Sequence, residues 1–187
     1  MVSKINSATF CFRETLPATN GAQKYRLQPL LLKAVYSDEG LRELALVRDS
    51  QQKLPAEQNL DTLKFPKKAL ERFKRLRAIL PQRLRGNTAE LKWDEFDMRG
   101  RGDFHSRVWK AIHAIPNGQT ASYAEVAGDA GSPLAFRACG QACGANPILF
   151  FIPCHRVVAA SGLGGFGCDI ELKKHLLALE GVDWQAL

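Results

Sequence analysis

The chain has no Cys-x-x-Cys pair, no apolar run near the roughly 18 residues that suggest a membrane span, and no net positive charge in its second half. The first absence removes the usual zinc or redox signature. Its five cysteines, Cys11, Cys139, Cys143, Cys154 and Cys168, are odd in number, so no disulfide framework is expected. The second absence, with 45% hydrophobic and 24% charged residues, argues for a folded, water-soluble protein. The opening MVSKINSATFCF lacks the apolar core of about 7 to 15 residues that marks a secretory signal. An intracellular setting, cytoplasm or nucleus, with reduced thiols is therefore the expectation. The third absence is positional: the formal charge is +7, yet residues 101–187 hold 7 Lys+Arg and 7 Asp+Glu, against 19 and 12 in residues 1–100. A basic protein is drawn to polyanions, nucleic acid first, though charge names neither a sequence nor a chemistry.

What is present divides at "DMRGRGD", residues 97–103, a polar Gly-rich crossing loop. Before it, "PLLLKAVYSDEGLRELALV" (29–47) sets two β-like runs about Ser37-Asp38-Glu39-Gly40 and reads as a hairpin. "FPKKALERFKRLRAIL" (65–80) places Leu70, Phe73, Leu76, Ile79 and Leu80 at helical spacing. Its other face carries Lys67, Lys68, Arg72, Lys74, Arg75 and Arg77, either a solvated surface or an auxiliary phosphate contact. After the loop come "FHSRVWKAIHAI" (104–115), stopped by Pro116-Asn117-Gly118, and "SYAEVAGDAG", with Ser122 as cap and Glu125 three residues on. "LAFRACGQACGANP" follows, and two short helices about a tight Gly-containing turn make a helix-turn-helix signal. This last helix has almost no side-chain bulk, with Ala138, Cys139, Gly140, Ala142, Cys143, Gly144 and Ala145. It is slim either to pack closely on the core or to lie in a narrow groove with Arg137 projecting. Cys139 and Cys143 are expected to act as small packing residues.

The chemical focus is "NPILFFIPCHRVVAASG", residues 146–162, where Cys154 sits between Pro153 and His155 after an apolar run. A thiolate is the nucleophile, and near a reference pKa of about 8.5 only a few per cent is ionised at neutral pH, so an activating base is required. Adjacent residues in an extended strand point opposite ways, so Cys154 and His155 can cooperate only through a turn or a bridging water. By themselves the two residues read first as a buried cysteine after a strand and a histidine on a loop, and it is the residues around them that shift the weight toward chemistry.

Six motifs in order extend the pattern: Phe104 to Trp109, Ser122-Tyr123, Arg137-Ala138-Cys139-Gly140, Asn146-Pro147, Pro153-Cys154-His155-Arg156-Val157, and the tail "KKHLLALEG" from Lys173 to Gly181. Over about residues 104–182 the chain resembles the O6-alkylguanine-DNA alkyltransferases, also called methylated-DNA–protein-cysteine methyltransferases. Over residues 1–100 the likeness is limited to the hairpin and "FDMRG". The resemblance implies an α/β architecture, with an N-terminal ribonuclease H-like α/β domain over 1–98. A mainly helical winged helix-turn-helix-type domain, DNA-binding and alkyl-accepting, would cover 99–187. It implies direct-reversal repair in one turnover: the alkyl group of O6-alkylguanine, and of O4-alkylthymine, passes to Cys154. His155 would serve as base and Glu180 would orient it, while Tyr123 would bind the flipped guanine and Asn146 would tie the recognition helix to the active segment. Ser122, Tyr123, Arg137, Ala138 and Gly140 would meet DNA, with Arg137 filling the space left by the flipped base. Trp109, Ser161, Gly162, Phe166 and Cys168 would line the substrate pocket. The partner would be double-stranded DNA containing O6-alkylguanine, bound by a monomer, with cooperative binding along DNA left open and no membrane involved.

No cofactor is implied. Some family members carry an N-terminal zinc site, but here the first 100 residues hold Cys11 and no histidine, so no metal is expected. The pocket stretch "GGFGCDIELKK" departs from the family: Phe166 lacks a hydroxyl, and Cys168 and Asp169 put a thiol and a carboxylate where small neutral groups are common. That bears on tolerance of bulky alkyl groups. Three readings compete with repair. They are a damage sensor, a helix-turn-helix regulator with palindromic specificity, and a Cys-His hydrolase with multiple turnover.

Overall fold

The computed structural model describes residues 8–17, 29–47, 66–87 and 89–187. A three-stranded antiparallel sheet, in the order β1 (Ala8–Glu14), β2 (Leu30–Tyr36), β3 (Leu41–Leu46), forms its N-terminal part. The hairpin read from residues 29–47 is β2 and β3, and β1 pairs with β2 in the register Phe10↔Ala34 and Phe12↔Leu32. Alternation puts Ala8, Phe10 and Phe12 of β1, with Leu30, Leu32, Ala34 and Tyr36 of β2, into the core. Helix α1 (Lys67–Arg83) covers that face: the Phe73 ring stacks on Phe10 at 4.1 Å and meets Phe12 edge-on at 5.3 Å. It runs past the expected end at Leu80 and takes Pro81 into its last turn.

The face opposite the core is less free than its sequence suggests. Arg72 donates to the Asp38 carbonyl at 2.9 Å, Arg75 pairs with Glu95, and Arg77 lies over the Phe12 ring. Lys67, Lys68 and Lys74 remain exposed.

The C-terminal helices follow: α2 (Asp103–Ala114), α3 (Tyr123–Asp129), α4 (Phe136–Gly144) and α5 (Ile170–Leu179). Ser122 caps α3 as its sequence predicts, accepting from Glu125 N at 3.2 Å while the Glu125 carboxylate accepts from Ser122 N at 2.7 Å. Two-residue strands β4 (Ala121–Ser122) and β5 (Val157–Val158) pair in parallel. The core is continuous from sheet to helices. Across it, Leu44 N donates to Pro147 O and Leu149 N to Leu44 O, both at 2.8 Å, so the segment entering the cysteine site rides on the edge of β3. Asp97 locks the crossing loop, accepting from Ser37 Oγ at 2.6 Å, Arg42 Nη1 at 2.9 Å and Arg99 Nη2 at 2.8 Å.

Candidate active site

The apolar run Ile148–Ile152 is buried throughout, and its chain turns rather than extends. Phe150 takes a positive φ of 71°, a sterically costly conformation for a residue with a Cβ. Ile152 N bonds back to Ile148 O, and a 3₁₀ turn over Cys154–Arg156 follows Pro153. That turn breaks the alternation of an extended strand, so Cys154 and His155 are both buried instead of lying on opposite faces. The chain then enters β5. Its parallel pairing with β4 anchors Ser122 and Tyr123 beside the cysteine turn, although they lie more than 30 positions away in sequence.

Asn146 organises the turn. Its Nδ2 donates to Ile152 O at 2.7 Å and to Cys154 Sγ at 3.0 Å, and its Oδ1 accepts from Ile148 N at 3.0 Å. Burial pushes the Cys154 thiol up to about 11, against the lowering effect of the Asn146 hydrogen bond. At rest it is therefore a neutral thiol.

His155 Nε2 lies 3.0 Å from Glu180 Oε1. Burial alone would raise Glu180, but the hydrogen bonds from His155 and Arg156 hold its carboxyl at about 2. An ionised carboxylate only accepts, so the Nε2 position carries the proton and Nδ1 of neutral His155 presents a lone pair. Nδ1 has no hydrogen-bond partner among the described residues. Burial also lowers the pKa of His155 below the ordinary imidazole value, against the raising influence of Glu180, which keeps the ring neutral near pH 7.

Three buried cations lie around Cys154 and this pair, and none of them was among the candidate site residues. Arg156 is fully buried; it grips Glu180 through Nε and Nη2, each at 2.8 Å, and spends its other bonds on Ile115 O and Asn117 Oδ1. Lys173, equally buried, donates to Val157 O and Leu163 O at 2.6 Å and to Gly165 O at 3.2 Å, and burial lowers its pKa to about 8. Arg83 reaches in from the end of α1 and donates to Phe150 O at 3.3 Å, pinning the positive-φ residue. Arg156 and Lys173 stood within quoted motifs, and Asn117 was read only as a helix stop. Arg83 left no local signal, because its partner lies 67 positions away.

Above Cys154 lies a cavity of about 140 Å³ lined by Tyr123, Gly140, Cys143, Gly144, Cys154, Gly165, Phe166 and Gly167. Its α4 wall is made of glycine and a small thiol, and Cys139 is buried behind it. Tyr123 donates its hydroxyl to Gly165 O at 3.4 Å, and burial raises its pKa, so the hydroxyl stays protonated. Gly164 lies beneath the same ring with φ 68°; a Cβ there would come within 3.1 Å of both Tyr123 Cε2 and Ala159 N. On the outer side Arg137 is exposed, Ser122, Ala138 and Gly140 are half-buried, and the Arg137 guanidinium sits 5.9 Å from the Phe136 ring.

Four expected pocket residues lie elsewhere. Trp109 is buried in the core, where its Nε1 donates to Ala142 O at 2.8 Å and fastens α2 to α4. Ser161 and Gly162 form a tight turn closed by Ala159 N to Gly162 O at 3.0 Å, and neither lines the cavity. Cys168 borders a separate cavity of about 490 Å³ against β2 and β3, with Asp169 beside it capping α5. All five cysteines are free thiols. Among the described residues no three His, Cys, Asp or Glu side chains converge as a metal site requires, and no described helix is long and apolar enough to cross a membrane.

Residues 103–182 match the family model for the DNA-binding domain of 6-O-methylguanine DNA methyltransferase. The Methanosarcina mazei methylated-DNA–protein-cysteine methyltransferase is 32% identical over 159 residues, covering 84% of this chain and 93% of that protein. The Mycobacterium tuberculosis protein of the same name is 54% identical over 87 residues, 46% of this chain and 52% of that protein, so this match spans about half the relative's length. A crystal structure of M. tuberculosis O6-methylguanine methyltransferase gives a TM-score of 0.64 at 31% identity, covering 92% of this chain and 93% of that one. A second M. tuberculosis structure, solved in complex with DNA, gives 0.63 at 35% identity over 80% and 86%. The fold is thus mixed α/β with a small antiparallel sheet, of the class seen in those structures. The chain belongs to the methylated-DNA–protein-cysteine methyltransferase family.

Proposed function

We propose that this protein repairs duplex DNA by direct reversal, taking the alkyl group from O6 of guanine, and from O4 of thymine, onto Cys154 in a single turnover. The observation that carries the reading is the Cys154 thiol: it forms the floor of a cavity and is held by Asn146, while the adjacent His155 has its far nitrogen tied to Glu180. Nδ1 of His155 takes the thiol proton through one bridging water. Sγ then attacks the O6-linked carbon in line, the carbon–oxygen bond breaks, and its electron pair leaves with the guanine. The base recovers a proton from the neutral Tyr123 hydroxyl or from solvent. Glu180 and its partner Arg156 stabilise the imidazolium. The thioether formed is a stable bond, so in this reading the protein is consumed.

The target atom cannot reach a buried thiol from inside a duplex, so the nucleotide must be extruded. In this reading α3 and α4 form the helix-turn-helix of a winged domain over 99–187, behind a ribonuclease H-like part over 1–98. Helix α4 enters the minor groove, with Arg137 filling the vacated space and Ser122, Ala138 and Gly140 at the DNA surface. The small side chains of α4 permit that approach. A DNA complex of an M. tuberculosis relative supports the choice of partner, and the protein is proposed to act as a monomer.

The stoichiometry of repair tests it. Incubated with excess duplex bearing O6-methylguanine, the protein should remove one lesion per molecule and stop. Continued turnover would favour a hydrolase, and binding without loss of the lesion a damage sensor.

A further inference from the structure

Among the described residues, four large apolar side chains stand out in solvent: Leu134, Phe136, Ile170 and Leu187. Two of them lie within three positions of Arg137. Leu134, 92% exposed, sits in the turn before α4 that is closed by Ala135 N to Ser132 O at 2.9 Å, and Phe136, 48% exposed, opens the helix. Elsewhere α4 carries little bulk, and what it buries is Cys139 and Ala142. The apolar bulk of this segment is therefore concentrated at one end, facing water. The Arg137 guanidinium over the Phe136 ring joins the two into one unit, with a cation at its tip and an aromatic face at its side.

We propose that Phe136, with Leu134 beside it, is a second, apolar wedge on duplex DNA: its ring stacks on a base bordering the gap left by the extruded nucleotide, next to Arg137. This rests on the repair reading given above. An extruded nucleotide leaves two base faces exposed to water, and a guanidinium covers only part of that area. Apolar side chains inserted at base steps hold a duplex open in minor-groove proteins, and every base offers a face to an aromatic ring. The unit is thus sequence-tolerant, as repair requires. It would also raise the probability of extrusion without touching the alkyl group.

The test compares alkyl transfer from the same O6-methylguanine oligonucleotide as a duplex and as a single strand, since only the duplex has a gap to hold open. For Phe136→Ala, the ratio of single-turnover rates, duplex to single strand, should fall about tenfold, the effect of losing one base–aromatic stack. Phe136→Trp should restore it, and Leu134→Ser should lower it less. The tryptophan in Phe136→Trp should in addition lose fluorescence when duplex binds. An unchanged ratio in Phe136→Ala, an equal loss on both substrates, or an unquenched tryptophan at 136 would overturn the wedge. Absence of transfer by the wild type from either substrate would instead overturn the repair reading on which it rests.

Discussion

His155 is the side chain on which the proposed chemistry turns, because Cys154, pushed to about 11 by burial, cannot ionise unaided near neutrality. Replacing His155 by Ala should slow single-turnover transfer by about 10²- to 10⁴-fold, the usual worth of a positioned base, while leaving Cys154 in place. Burial lowers the pKa of His155, so its base form persists below the ordinary imidazole range. The transfer rate should therefore stay level from pH 8 to about 6.5 and decline only at lower pH, as the ring takes up a proton. A rate already falling between pH 8 and 7 would contradict that assignment. Asn146 makes a second residue-scale case. Asn146→Ala removes the side-chain acceptor of Ile148 N and one of the two donors to Ile152 O, which keeps Cys154 N at 2.8 Å, and should cost about 1–3 kcal/mol in chemical denaturation, besides slowing transfer. Much of this site was legible in the sequence, since Cys154, His155, Asn146, Tyr123 and Glu180 fall in spaced motifs. Trp109 was misplaced because an aromatic residue at helical spacing serves a cavity or a core equally well, and only the Ala142 carbonyl at 2.8 Å decides between them.

At the scale of elements, α1 is more than a cover for the sheet. Its C-terminal turn presses on the far side of the active segment through Arg83 on Phe150 O, and through Gly86, whose carbonyl accepts from Asn117 Nδ2 at 2.7 Å. Asn117 in turn accepts from Arg156, so a chain of contacts runs from α1 to Glu180 and His155. Gly86 has φ 77°, and a Cβ there would stand 2.4 Å from Leu179 O of α5. Gly86→Ala should therefore destabilise the protein by about 2 kcal/mol or more, combining left-handed strain with a backbone clash. A denaturation midpoint equal to wild type would show that this turn is not a fixed support. Helices α1 to α4 and the β2–β3 hairpin were readable from local periodicity and turn residues, whereas α5 entered only as the tail of the family pattern. Strand β1 went unread although Ala8, Phe10 and Phe12 alternate with more exposed residues, because its identity depends on pairing with β2 some 20 positions on. The parallel β4–β5 pair, which brings Tyr123 to the cysteine turn, is a tertiary contact of two residues each and has no local signature.

For the whole molecule, charge and burial together set the response to pH. Glu180 is held at about 2, and Asp97 is held well below the usual carboxylate range by Arg99, Ser37 and Arg42. Both bind fewer protons folded than unfolded, so the stability they contribute is present above about pH 4 and is lost as pH falls toward about 2. His155 adds an earlier loss: unfolded histidine protonates below about 6.5 while the buried ring resists, so the unfolded state gains. Melting temperature should decline gently below about pH 6.5 and steeply below about pH 4. A melting temperature level down to pH 3.5 would refute this. The alkylated product should also be less stable than the free protein, by about 1–3 kcal/mol, because a new alkyl group is forced in beside a buried sulfur.

The central claim is that Cys154 itself becomes the alkyl acceptor. Intact-mass measurement of the protein after incubation with O6-methylguanine duplex, followed by peptide mapping, tests it most directly, with Cys154→Ala run in parallel. The expected result is a gain of about 14 Da, one methyl replacing the thiol proton, confined to the wild type and mapped to Cys154. A lesion that disappears with no mass gain, or a gain that persists in Cys154→Ala, would contradict the account.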